Sequence, residues 1–273
     1  MIIFTKAMKK LLFYVFPLMS CFGVMLSSAC KKNTDFQGNL IDVSKDLNAK
    51  MWQTLNDNGG DFALVFSTTQ TQKCNNTTIN AFPNVYSNNV IITVKDLGVP
   101  TNANCYGSGD YARDTTVVAQ LANGTYIFQL NLKDVVFNKG SLVVSDNKYA
   151  LSMETQNGVN VDVSDLMRVP NNVIWGLVNY DNGADAPVDL FMNDLKSLAH
   201  IVSLDDGEYG HFQLNKGVLS LPAETQTTRP NTKKFFLKLD NSISNLSDLI
   251  QKYQKQYGSK ITFSVNTWNG KKF

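Results

Sequence analysis

Residues 123–153, NGTYIFQLNLKDVVFNKGSLVVSDNKYALSM, contain three short apolar runs separated by turn-forming residues. The runs are Tyr126–Leu132, Ser141–Val144 and Tyr149–Met153. They are rich in β-branched and aromatic side chains, which favour strands. Asn138-Lys139-Gly140 and Asp146-Asn147, which lie between them, are typical of turns. This stretch therefore predicts consecutive short β-strands.

The same pattern continues on both sides of this stretch. Further strand-like runs are Phe62–Ser67, Val90–Val94, Thr115–Leu121 and Val159–Val163. Short strands at a spacing of about 8–12 residues are typical of a β-sandwich. We therefore expect a β-sandwich domain over residues 61–165.

A second set of strand-like runs follows Val169-Pro170-Asn171-Asn172, which we interpret as a linker. The runs are Val173–Tyr180, Val188–Met192, His200–Leu204, His211–Leu214, Val218–Leu221, Phe235–Leu239 and Ile261–Thr267. Ser244–Tyr257 places its apolar residues on one face at helical spacing and predicts one late helix. The apolar spacing between residues 189 and 200 also suits a helix. We expect a second β domain over 171–273.

A short helix is predicted before the first strand, over residues 42–57. Val43, Leu47 and Met51 recur at a spacing of four, which is the spacing of one helix face. Asn58-Gly59-Gly60 would end this helix. The predicted helix would pack on the body through its apolar face.

The N-terminal residues have the features of an export signal. Three lysines lie within residues 1–10, residues 11–26 are apolar and uncharged, and Ser27-Ser28-Ala29 precedes Cys30. This arrangement resembles the signal peptides of bacterial lipoproteins. The resemblance implies removal of residues 1–29, a lipid on Cys30, and anchoring in the outer membrane of the cell envelope. Residues 30–60 would then form a lipid-anchored tether and the short helix.

Two alternatives remain for the N-terminus. Leu18-Met19-Ser20-Cys21 is a second lipidation motif, but cleavage before Cys21 would leave the apolar stretch FGVML next to the lipid. Residues 11–29 also approach the roughly 20 apolar residues that span a membrane, so an uncleaved anchor is the other interpretation.

The cysteine count predicts a disulfide, and the net charge argues against one class of partner. Cys74 and Cys105 remain once Cys21 and Cys30 are set aside, and two cysteines in an oxidising compartment predict a disulfide. Without residues 1–29 the chain has 22 basic and 23 acidic residues, a net charge of −1. This balance, with only three arginines, argues against a nucleic-acid partner.

Residues 179–193, NYDNGADAPVDLFMN, resemble an Ig-like repeat family of bacterial surface lipoproteins whose function is unknown. The matching features are the Ala-Asp-Ala-Pro stretch and the alternating residues that follow it. The resemblance implies that Val188–Met192 is a strand and transfers no catalytic residue. The expected fold class is therefore mainly β, with two antiparallel Ig-like β-sandwich domains, a short N-terminal helix and one helix near the C-terminus.

Titratable residues cluster between Leu204 and His211, in the stretch LDDGEYGH. Asp205, Glu208 and His211 are the residue types that an acid–base pair or a cation site uses. The spacing fits no calcium loop, and Gly207 favours a bend. We therefore interpret the stretch as a β-hairpin turn.

Three aromatic residues near predicted turns, Trp175, Tyr180 and Tyr209, are candidate ligand-binding residues. Tyrosine and tryptophan are enriched in binding surfaces because they combine a large apolar face with a polar group. Packing in the core is the other interpretation. The sequence contains no motif for a metal, a cofactor or a catalytic residue.

We expect an exported, lipid-anchored envelope protein that acts as a non-catalytic binding or adhesion module for a partner protein or a glycan. The loops at one end of a sandwich would form the binding surface. Two alternatives stay open. One is an envelope hydrolase that uses the Asp205/Glu208/His211 region, and the other is a structural subunit of a surface assembly.

Overall fold

The computed structural model describes residues 45–101, 104–105, 109–222 and 229–273. These residues form seventeen strands and two helices, so the protein is mainly β, as predicted. The strands are β1 (Leu47–Thr54), β2 (Asp61–Thr71), β3 (Thr78–Tyr86), β4 (Asn89–Gly98), β5 (Tyr111–Ala119), β6 (Gly124–Leu132), β7 (Val136–Val144), β8 (Lys148–Met153), β9 (Val159–Asp162), β10 (Leu166–Met167), β11 (Val173–Tyr180), β12 (Ala199–His200), β13 (Gly207–Glu208), β14 (Gln213–Asn215), β15 (Val218–Ser220), β16 (Asn231–Leu239) and β17 (Ile261–Thr267). The helices are α1 (Asp185–Leu198) and α2 (Ile243–Tyr257). The predicted signal peptide, Cys30 and the tether lie outside the described residues.

Two sheets pack face to face and share one core. The first has the strand order β5-β2-β1-β9, and the second has the order β15-β14-β13-β10-β8-β7-β6-β4-β3. Inward side chains such as Phe62 and Phe66 of β2 and Phe128 of β6 belong to a single buried cluster. Burial of each side chain of this size contributes about 1.5–3 kcal/mol. The sandwich is mixed rather than purely antiparallel, because β1 pairs with β9 and β4 pairs with β6 in parallel.

The third sheet has the order β12-β16-β11-β17 and is antiparallel throughout. Alternate residues of its central strand β11 point to opposite faces. Ile174 and Val178 pack with the apolar faces of α1 and α2. Val173 and Trp175 pack on the other face, with residues of the β13–β15 region. Two helices therefore cover this face of the third sheet, whereas in a β-sandwich a second sheet would cover it.

The predicted helix over residues 42–57 is wrong, because the described part of that stretch forms strand β1. Ala49, Met51 and Gln53 are buried, and the residues between them are more exposed. The spacing of four between Leu47 and Met51 equals two strand periods as well as one helical turn, so it does not distinguish the two structures. Residues 55–60 form the connection from β1 to β2 rather than a helix end.

The strand implied at Val188–Met192 is also wrong, because these residues lie in helix α1. Pro187 occupies the first turn, where the backbone N–H has no partner within the helix and proline is tolerated. Val188, Phe191 and Leu195 then lie on one buried face at helical spacing. Tertiary packing of this face against the third sheet favours the helix.

Several other predictions are confirmed. β11 and β17 have the predicted bounds, and α2 covers the predicted late helix.

Strands β13, β14 and β15 come from residues after 171 but join the sheet of the first sandwich, through β10. The division at residues 165–171 into two domains stays a prediction.

Candidate binding site at the open end of the sandwich

A groove of about 740 Å³ opens between the two sheets at one end of the sandwich. It lies where β1 begins, where β2 and β4 end, and where the chain turns from β6 to β7. Its apolar lining residues are Leu47, Val94, Leu97, Leu132, Val135 and Val136. Ligand pockets commonly have volumes of about 300–1,000 Å³ and apolar linings, so the groove has the size and character of a binding site.

The turn between β6 and β7 forms one wall. Lys133 and Asp134 have backbone φ angles of 51° and 54°, which residues other than glycine rarely adopt. The Lys133 N–H donates to the Val94 carbonyl at 2.8 Å and so holds the turn against β4. Val135 follows the turn and is 76% exposed. A held, strained turn that presents an exposed apolar side chain is typical of a contact surface.

The opposite wall is formed by the last residues of β2, where the pairing of this strand with β5 is irregular. The pairing of β2 with β5 is interrupted between Ser67 and Thr71. The Thr69 N–H donates to the Asp46 carbonyl at 2.9 Å, and the Thr68 hydroxyl donates to the Gln70 carbonyl at 2.7 Å. These bonds satisfy the polar groups locally and leave a hydroxyl- and amide-rich rim above the apolar floor.

The charges around the groove balance. Asp46 and Asp96 contribute two carboxylates, and Lys95 and Lys133 contribute two ammonium groups. The described lining contains no histidine and no cysteine. The groove is therefore equipped to hold an apolar group of low net charge.

A disulfide between Cys74 and Cys105 lies in the connections next to this wall, which confirms the predicted pairing. Gln72 lines the groove, and its N–H donates to the Asp110 carbonyl at 2.8 Å. The Asn75 N–H donates to the Asn104 carbonyl at 3.0 Å. The disulfide and these bonds join the chain that follows β2 to the chain that precedes β5, and so restrain the wall.

The three predicted aromatic candidates do not form an open surface. Trp175 and Tyr209 are 1% and 2% exposed and belong to the core under the third sheet. The Tyr209 hydroxyl donates to the Asp205 carbonyl at 2.8 Å, and desolvation by burial, followed by the nearby aspartates, raises the pKa of this phenol to about 12. Tyr180 is half-buried against the core shared with the helices. Core packing therefore accounts for Trp175 and Tyr209.

Asp205, Glu208 and His211 bond to separate partners rather than to one another. The carboxylate of Asp205 accepts from a side-chain amide of the β7–β8 turn, and that of Glu208 accepts from the Gly210 N–H at 3.0 Å. His211 Nε2 donates to the Gln53 carbonyl at 2.7 Å. The stretch belongs to a hairpin, but Gly207 and Glu208 form strand β13 and pair with β14, so the turn lies at residues 209–212 and not at Gly207 as predicted.

The environment of His211 is that of a structural residue. Its ring lies 4.5 Å from the Trp52 ring, centroid to centroid, and 6.1 Å from that of Trp175. Burial lowers the pKa of the imidazole below its ordinary value. Within the ranges that the structure describes, no cluster of three or more His, Cys, Asp or Glu side chains is suited to a metal ion.

The residues of the groove were not singled out from the sequence. The one local signal is Leu132-Lys133-Asp134-Val135, in which a charged pair lies between apolar residues where a strand ends. The described helices include none that is long and apolar enough to cross a membrane. No protein-family model, curated protein or solved structure matches the chain.

Proposed function

We propose that this chain is an exported lipoprotein of the cell envelope, anchored to the outer membrane by a lipid on Cys30, and that its body is a non-catalytic binding module for a partner protein. The observation that carries the binding role is the apolar groove at the open end of the sandwich. A rigid scaffold that presents irregular connections at one end is a common arrangement for recognition.

A partner protein suits the groove better than a glycan does. The floor is apolar, and the hydroxyls and amides lie at the rim, which matches an interface with an apolar centre and a polar border. An apolar side chain of a partner would be desolvated on the floor while the partner backbone reaches Thr69 or Gln70 at the rim. Val135, at the rim, would add exposed apolar area to the contact.

The anchoring part of the proposal rests on the N-terminal sequence and agrees with the disulfide. A Cys74–Cys105 disulfide fits a compartment outside the reducing cytoplasm. Mass spectrometry of the mature N-terminus is expected to find a lipid on Cys30 and loss of residues 1–29. Cys30→Ser should abolish the lipid, whereas Cys21→Ser should leave it unchanged. A lipid on Cys21, or an uncleaved N-terminus, would contradict the proposal.

The binding part is tested by crosslinking in intact envelopes. A photo-reactive amino acid in place of Val135 is expected to give one crosslinked protein product of defined mass. The control position is Val218, which is 65% exposed but lies on β15, outside the groove. Leu97→Asp should remove the product from position 135 because a carboxylate on the apolar floor disfavours desolvation. Equal products from both positions, or no product from position 135, would refute binding through the groove.

A further inference from the structure

Strand β4 extends beyond the strand beside it. It pairs with β6 in parallel as far as Val94, and with β3 as far as Gly98. The last backbone bond on the β6 side runs from the Lys133 N–H to the Val94 carbonyl, where β6 has ended. The part of the chain that the structure describes places no strand next to residues 95–98 on that side. We call this side of residues 95–98 the open edge.

The open edge forms part of the groove at the end of the sandwich. One set of lining residues comes from β4, and another comes from the end of β6 through the start of β7. They are Val94, Lys95, Asp96 and Leu97 from β4, and Leu132, Lys133, Val135 and Val136 from the other segment. Because the groove lies between these two segments, it includes the position that a longer β6 would occupy. The open edge is about 13 Å long, which suits a strand of about four residues.

Leu97 turns its backbone polar groups toward the groove. The Gly98 carbonyl faces β3, where it accepts from the Thr78 hydroxyl at 3.3 Å. Successive residues of an antiparallel pair point their N–H and C=O groups to opposite sides, so those of Leu97 face the open edge. Within the described ranges, no backbone hydrogen bond reaches either group from this side. Leu97 can therefore both donate to and accept from a strand that lies beside it.

The side chains of the open edge leave the floor of the groove uncharged. Leu97 pairs with Ile79, which is fully buried, so the Leu97 side chain points inward to the floor, and it is 39% exposed. Lys95 and Asp96 instead contact side chains of β3 on the outer face of the sheet. The interrupted register of β3 and β4 at this point turns both charged side chains outward. The floor next to the open edge therefore suits apolar side chains without charge.

An extended segment of a partner protein matches both the backbone and the floor. A strand along the open edge would exchange hydrogen bonds with Leu97, and every second side chain of it would reach the apolar floor. A contact that covered Leu97 without such bonds would leave a donor and an acceptor buried and unpaired, which is unfavourable. We propose that the groove binds an extended partner segment, which adds to β4 as a strand in the position that follows β6. This inference rests on the proposed binding of a partner protein through the groove and specifies its form.

Selection from a library of short random peptides displayed on phage tests this proposal, with the immobilised, full-length mature protein as the target. The enriched peptides should carry apolar residues at every second position over about four residues. Leu97→Asp should weaken their binding about tenfold or more, because a carboxylate on the apolar floor disfavours desolvation. Val143→Asp is the matched control and should leave binding unchanged. Val143 is 43% exposed, belongs to β7 of the same sheet and does not line the groove.

N-methylation of a selected peptide separates strand addition from apolar contact alone. Methyl groups on the alternate residues whose N–H groups face β4 should weaken binding about tenfold or more, whereas methyl groups on the residues between them should have little effect. Equal losses from the two sets would overturn strand addition, as would apolar residues at helical spacing or unchanged binding to the Leu97→Asp variant.

Failure of this proposal is distinct from failure of the proposed function. If no peptide is enriched while position 135 still gives its crosslinked product, strand addition is overturned and binding of a partner through the groove stands. If position 135 gives no product either, both proposals are refuted.

Discussion

Gln53 Oε1 accepts a hydrogen bond at 2.8 Å from the backbone N–H of Val169, which lies 116 residues further along the chain. Its Nε2 donates to the Gly59 carbonyl at 2.7 Å, so both ends of the amide are satisfied although the side chain is fully buried. One polar side chain thereby joins the β1–β2 connection of the sandwich to the segment that leads into the third sheet.

Replacing this amide should destabilise the fold measurably. Gln53→Leu leaves the buried Val169 N–H without a partner and removes the bond to the partly buried Gly59 carbonyl, and we expect a loss of about 1–3 kcal/mol in the free energy of unfolding. Denaturant unfolding monitored by circular dichroism measures it. Gln254→Leu, at an exposed position of α2, is the control and should change stability by less than about 0.5 kcal/mol. Equal effects of the two changes would argue against the bridging role of Gln53.

A pair of substitutions in α1 distinguishes the helix from a strand. Phe191 is fully buried, and its ring centre lies 4.7 Å from that of Phe263 and 5.4 Å from that of Tyr253. Phe191→Ala should cost about 3–5 kcal/mol. Leu190 points to solvent from the helix and should tolerate alanine, whereas in a strand it would share the face of Val188. A large loss of stability with Leu190→Ala would contradict the helix.

The disulfide should contribute strongly to stability. It closes a loop with a sequence separation of 31, for which the chain-entropy model gives about 3–4 kcal/mol. The double change Cys74→Ser and Cys105→Ser should lower the free energy of unfolding by about this amount, and reductant should do the same to the unmodified protein. Reductant should have no effect on the double variant, and any effect there would assign the loss to another cause.

The buried imidazole of His211 should make stability depend on pH. Burial lowers the folded-state pKa below the ordinary value of 6.5, so below that pH the unfolded chain binds a proton that the folded chain does not. The stability that His211 contributes is therefore complete above about pH 6.5 and is lost progressively as the pH falls.

His211→Gln keeps an N–H donor for the Gln53 carbonyl and removes the titration. We expect a shallower decline of the unfolding free energy between about pH 7 and about pH 5, the interval around the ordinary imidazole pKa. The same difference should persist in the His200→Gln background, because His200 bonds to Asp240 and shares no hydrogen-bond partner with His211. An unchanged slope would show that another group dominates the pH dependence.

Strands with a strong internal pattern could be predicted from the sequence. The bounds of β11 and β17 are as predicted, because a continuous run of apolar and β-branched residues lies between clear turn signals. β3 could not be predicted, because it is an edge strand in which Pro83 interrupts the pattern and only Ile79 is fully buried. Phe82 and Tyr86, both more than half exposed, therefore lie in a strand that the sequence pattern does not indicate.

The candidate sites could not be predicted, because each is assembled from segments that are distant in sequence. The groove brings Leu47 together with Leu97 and Val135, and no motif links them. The titratable stretch around Asp205, by contrast, was conspicuous in the sequence and proved to be a hairpin. Residue types alone identify candidate chemistry, but which side chains meet depends on strand order and register.

The entry of β13 into the large sheet has a consequence for how the chain folds during synthesis. β10 pairs with β8 on one side and with β13 on the other, through Leu166 and Glu208. A growing chain that has reached β10 therefore presents an unpaired strand edge until about forty further residues have followed, and such edges recruit other chains. Strands β13–β15, the last of this sheet to be synthesised, thus cover the edge of β10. Fragments of the chain that end before β13 should therefore tend to aggregate.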